Sequence, residues 1–181
     1  MHDAAIAIYA NEGWRGFTFE AVARASGVGK DALYRRWQGR ADLLGSTLEA
    51  RWSAIGCADT GSLRGDLLML TDFMLGLLID THAGAAINLQ IDARTHPEVR
   101  ALAAPIQSGL LDKFRALVER ALPRGELQEG TSIRLLADVV VGAIANHVLS
   151  TPHDLEARMN ASRRDFSVKL VNLIMQGVAV R

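Results

Sequence analysis

Two short amphipathic segments, Thr18–Ser26 and Val28–Trp37, meet at the single glycine Gly27, and this stretch constrains the chain more than any other. A glycine there supplies the left-handed backbone conformation that a sharp turn between helices needs. Thr18 predicts a helix cap, Glu20 suits the positive end of that helix, and Phe19, Val22 and Ala23 form its inner face. Ala23 is small enough for a second helix to cross closely. Leu33 and Trp37 then lie one helical turn apart on a face that must be buried, leaving Lys30, Asp31, Tyr34 and Arg35 on the other side with Arg36 nearby. The pattern is a helix-turn-helix.

The polar face has the chemistry for reading a major groove. Lysine and arginine donate to guanine, a carboxylate accepts from cytosine, and a tyrosine hydroxyl reaches phosphate. The simpler alternative is a solvated face in which Asp31 and Arg35 form an i,i+4 pair. Taken jointly the pattern is less ambiguous than any one residue, and the charge distribution is compatible with the first reading. The whole chain has 20 basic and 20 acidic side chains, yet between Gly13 and Arg40 the cations Arg15, Arg24, Lys30, Arg35, Arg36 and Arg40 face only Glu20 and Asp31. A local basic patch on a neutral chain suits docking on phosphates. Arg40 precedes a predicted helix over Ala41–Ile55, where unpaired amides would help it hold a phosphate.

The segments Ala4–Trp14 (AAIAIYANEGW), Thr18–Trp37 (TFEAVARASGVGKDALYRRW) and Gly39–Leu44 (GRADLL) resemble the DNA-binding region of TetR-family transcriptional regulators. That resemblance implies a dimeric regulator, usually a repressor, whose second domain binds a small molecule. It assigns Thr18, Gly29, Lys30, Asp31, Tyr34, Arg35 and Arg40 to DNA. It also implies a helix-turn-helix domain over residues 1–44 and a helical ligand-binding and dimerisation domain over 45–181. Gly29 and Asp31 depart from the small polar residues more usual at their positions, so a helical ligand-binding or protein-interaction module without specific DNA recognition is the alternative. With only Met1 before the first predicted helix, either a basic N-terminal arm is absent or the chain is a truncated form, and minor-groove contact by such an arm is unsupported.

The rest of the chain reads as all-α, with about nine helices in total. Alanine and leucine abound, proline occurs four times in 181 residues, and no alternating strand pattern appears. Helices are predicted over His2–Asn11, Leu63–Thr81, Ala85–Thr95, Pro97–Leu122, Ser132–Leu149 and Asp154–Val178, with a linker at Gly56–Ser62. Pro105 should kink or split the fourth of these.

The apolar runs are interrupted by Asp72 and Asp138 and are too short to span a bilayer, and the single Cys57 excludes an intrachain disulfide. A cytoplasmic protein is expected. None of the five histidines falls in a metal motif, no phosphate loop or nucleophile elbow is present, and neither a metal, a cofactor nor catalysis is expected.

Polar residues inside apolar helices must be exposed, paired within the protein or paired with a ligand. On that ground Phe73, Met74, Leu77, Asn88, Asp92, Phe114, Asn146 and His147 are candidate walls of a pocket for a small, largely hydrophobic effector. The apolar stripes of the last two predicted helices nominate Val140, Ile144, Phe166, Leu170 and Ile174 for a four-helix dimer interface. The same residues can instead pack within the subunit.

Overall fold

A computed structural model describes residues 1–52, 59–79 and 83–178. These form ten α-helices and a single 3-10 turn, with no strand among the described residues. The helices are α1 (His2–Gly16), α2 (Phe19–Ser26), α3 (Lys30–Arg36), α4 (Arg40–Trp52), α5 (Leu63–Ile79), α6 (Ala83–Thr95), α7 (Pro97–Ala121), α8 (Ile133–Leu149), α9 (Glu156–Ala161) and α10 (Arg163–Val178). The sequence-predicted ends at Ile55 and Thr81, the first three residues of the linker, including Cys57, and His82 lie outside the described residues. Among the described residues no single helix is long and apolar enough to cross a membrane.

Two compact units emerge, Met1–Ile55 with Asp80–Gln107, and Gly56–Ile79 with Ser108–Arg181. Compactness therefore groups the chain differently from a cut after residue 44. The first unit packs α1, α2, α3 and α4 with α6 and the start of α7 around Tyr9, Trp14, Phe17, Leu33, Leu44 and Leu89. The second buries Leu67, Leu75, Phe114, Leu117, Val140 and Val171.

Where the sequence predicts α1 to stop, Gly13 breaks its helical path with φ 61° and ψ −165°, after which the chain makes one more turn to Gly16. Side chains do not tolerate that conformation well, so glycine is the reason the break can form. Pro105 does not split α7, which continues through it. Pro105 and Ala101, whose carbonyl loses its usual donor, are both exposed, so solvent is available on that side. The predicted last helix is instead two: Ser162 ends α9, and its backbone N–H and hydroxyl both turn back to Arg158 and Met159 carbonyls. A serine competing locally for backbone bonds is a weak signal within an otherwise periodic run.

Candidate nucleic-acid interface

The turn between α2 and α3 is built from local chemistry. Thr18 has extended backbone angles and its Oγ1 accepts the Ala21 N–H at 3.1 Å, satisfying one of the unpaired donors at the start of α2. Gly27 ends that helix in the left-handed region at φ 69° and ψ 6°. Ser26 Oγ accepts the Val28 N–H at 3.3 Å, which steadies the exit. Leu33 and Trp37 are buried as the spacing predicts, and Trp37 Nε1 donates to Ser46 Oγ at 2.8 Å, fastening the end of α3 to α4.

Burial of that face turns the other one outward. Gly29, Lys30, Asp31, Tyr34 and Arg35 are all exposed. Tyr34 is 53% exposed yet braced, its ring meeting Phe19 edge-on at 4.5 Å between centroids. Such a braced aromatic presents its hydroxyl with little rotamer entropy left to lose. Lys30 Nζ sits 5.6 Å from the Tyr34 centroid and pairs with the Glu20 carboxylate of α2. No ion pair joins Asp31 and Arg35 among the described residues.

Arg40 departs from its sequence-predicted setting. It is the first residue of α4 and not the one before it, and Asp42 Oδ2 already accepts the Gln38 N–H at 3.1 Å at this helix start. The guanidinium lies 4.0 Å over the Trp14 ring and Nη1 donates to the Trp14 carbonyl at 3.0 Å. Arg40 is thus oriented by α1, with part of its surface still open to solvent.

The residues nominated for an effector pocket divide between the two units. Asn88 and Asp92 belong to the first, and both act on the break in α1. Asn88 Nδ2 donates to the Tyr9 and Ala10 carbonyls at 2.8 and 2.9 Å, and Asp92 Oδ2 accepts the Trp14 N–H at 2.9 Å. Their polarity is consumed by backbone groups that Gly13 strips of helical partners. An open cleft of about 420 Å³ beside them is lined by α1 and α6 residues, including Glu12, Arg15 and Thr95, and by His96 just past the end of α6.

Phe73, Met74, Leu77, Phe114, Asn146 and His147 fall in the second unit. Phe114 is fully buried and Met74 nearly so, whereas Asn146 is exposed. The His147 ring stacks on Phe166 at 3.8 Å and 5°. The sequence does not single out Thr71, whose hydroxyl is buried with no hydrogen-bond partner among the described residues, as is Asp72 Oδ1; the other Asp72 oxygen pairs with Arg164. The signal the sequence carries is the adjacent hydroxyl and carboxylate of Thr71 and Asp72 inside an otherwise apolar run.

The nominated dimer residues are largely interior. Val140, Ile144, Leu170 and Ile174 are buried within the subunit, and Phe166 is half-buried against His147. The exposed apolar side chains of α8 and α10 are Leu135, Val139, Leu149 and Leu173, between 44% and 67% exposed. The period-3.6 stripes are real, but they point inward, and the outward stripe is offset from them.

Comparison with known proteins agrees with this architecture. Residues 2–47 match the family described as bacterial regulatory proteins, tetR family, and residues 57–162 match the tetracyclin repressor-like C-terminal domain. The HTH-type transcriptional regulator AqdR of Rhodococcus erythropolis is 29% identical over 154 residues, 84% of this chain and 74% of that protein. The DNA-binding transcriptional repressor TetR of Mycobacteroides abscessus is 28% identical over 153 residues, 80% of this chain and 77% of that one. In fold, the chain is similar to the transcriptional regulator FadR of Bacillus subtilis in complex with stearoyl-CoA, with a TM-score of 0.77, 21% identity, and coverage of 97% of this chain and 96% of that one.

Proposed function

Because the chain belongs to the TetR family of bacterial transcriptional regulators, we propose that it is a ligand-responsive repressor that binds a palindromic operator as a homodimer. The observation that carries this reading is the α3 face, where Lys30, Asp31, Tyr34 and Arg35 stand outward on a helix fixed by buried Leu33 and Trp37. Residues 1–44 serve as the reading head in this proposal, and residues 45–181 as the part that dimerises and senses.

Two reading heads in successive major grooves require a fixed separation. An effector acts by favouring an arrangement with a different separation; one that binds both arrangements equally changes nothing. The oxygens of Thr71 and Asp72 on α5, in the same stretch of helix as Met74, support an effector that is mostly apolar with a small polar part. The stearoyl-CoA named for the FadR structure shares the long apolar chain of such an effector, joined there to a large anionic CoA group. For the dimer, Leu135, Val139 and Leu149 of α8 and Leu173 of α10 are the surface that a partner would cover.

The test is DNA binding to the region upstream of its own gene, with footprinting and a salt titration. Protection of a dyad-symmetric site with steep salt dependence is expected. Weak, salt-insensitive binding with no protected palindrome would sink the repressor reading and favour a module that senses without reading DNA.

A further inference from the structure

We propose that Glu20 is a specificity-determining residue: by holding the Lys30 ammonium it withholds one cation per protomer from the phosphates and suppresses binding to DNA of arbitrary sequence. The inference rests on DNA binding through α3. Glu20 lies in the first turn of α2 and Lys30 opens α3, and the Gly27 turn brings their side chains together as an ion pair. Their neighbours hold the same two helices in register, since Phe19 precedes Glu20 and packs on Tyr34, over whose ring Lys30 also sits.

Lys30 is one of the six cations in the basic stretch, but it is not an independent one. The hydrogen bond between them holds the Glu20 carboxyl below its usual range and the Lys30 ammonium above its own, so the pair stays ionised at neutral pH. A phosphate that accepts from Lys30 is brought beside the Glu20 carboxylate, and the two anions repel one another. A base acceptor makes a lesser demand. An ammonium has three donors, so Lys30 can keep Glu20 and still donate to an acceptor edge placed where the pair points it. Glu20 therefore weighs against the sequence-independent part of binding more than against the sequence-dependent part.

Fluorescence anisotropy of the full-length protein on a labelled mixed-sequence duplex, across a salt series, tests this. Glu20→Gln is expected to bind that duplex about three- to tenfold more tightly at low salt, with the log–log salt slope steeper by about 0.9 per protomer, the increment for one added phosphate contact. In the Lys30→Gln background the same substitution should give no gain. Both positions are about half exposed, and circular dichroism would verify that each variant is folded. Wild-type slope and affinity in Glu20→Gln, weaker binding, or an equal gain without Lys30 would each overturn the proposal. Absence of salt-dependent binding by the wild type would instead overturn the DNA-binding reading on which it depends.

Discussion

The Asp92 carboxylate accepts the backbone N–H of Trp14 at 2.9 Å, joining residues 78 positions apart. Four residues earlier on α6, Asn88 holds the carbonyls on the other side of the α1 break, and Gly84 comes so close that a Cβ there would stand 2.4 Å from the Ala10 oxygen. Gly84, Asn88 and Asp92 recur at helical spacing, so one face of α6 supplies all three contacts. Trp14 extends the linkage, with Nε1 donating to Glu98 at 3.0 Å and its ring under Arg40. Burial, and after it the Asp92 charge, pushes the Tyr9 phenol far above its ordinary pKa, so it stays neutral beneath this corner.

Removing the amide of this splice should therefore be costly. Asn88→Ala leaves two carbonyls without their donor and is expected to lower unfolding stability by about 2 kcal/mol. Gly84→Ala forces α6 away from α1 and should cost a similar amount, about 1–3 kcal/mol. Urea denaturation of the purified protein measures both, and stability within about 0.5 kcal/mol of wild type in both variants would mean that the splice does not hold the corner.

On the reading face, Tyr34→Ala and Arg40→Ala should weaken operator and arbitrary-sequence binding together. Lys30→Ala and Arg35→Ala should change sequence preference more than salt slope. Arg40→Ala carries a second expected effect, a small loss of stability, because the guanidinium also covers Trp14. Unchanged operator affinity in all four variants would show that DNA meets another face.

The dimer prediction separates surface from interior. Leu173→Asp and Leu135→Asp place charges on exposed positions and should yield folded monomers on sizing chromatography. Ile174→Asp would instead bury an unpaired charge at a side chain only 6% exposed, and should unfold or aggregate the subunit. A folded dimer in both exposed variants would move the interface elsewhere.

Acid sensitivity should trace in part to Asp66. Burial alone would raise its carboxyl, but hydrogen bonds from the Thr60 hydroxyl and N–H, both 2.7 Å, and from Arg120 at 3.0 Å outweigh it and leave the pKa below the ordinary 3.8. A carboxyl lowered on folding stabilises the protein above its unfolded pKa, and that contribution disappears as pH falls from about 4 through the lower folded value. Asp66→Asn should cost about 2 kcal/mol near neutral pH and flatten the acid limb of a stability–pH curve. An acid limb identical to wild type would rule Asp66 out as its source.

The helical class, the α2–α3 turn, its Thr18 cap and the burial of Leu33 and Trp37 were legible in the sequence because each depends on groups within a few residues of one another. Periodicity also found the apolar stripes of α8 and α10, but not what they face: burial of Ile174 and exposure of Leu173 are decided by neighbouring helices. Asn88 and Asp92 read equally well as effector contacts or as internal partners. Only the tertiary structure could choose, since the backbone groups that claim them lie 78 and 79 positions away and are orphaned by the break at Gly13. The sequence by itself determined the helix-turn-helix, whose physics is local, and the tertiary structure decided what holds it, whose physics is the pairing of distant polar groups removed from water.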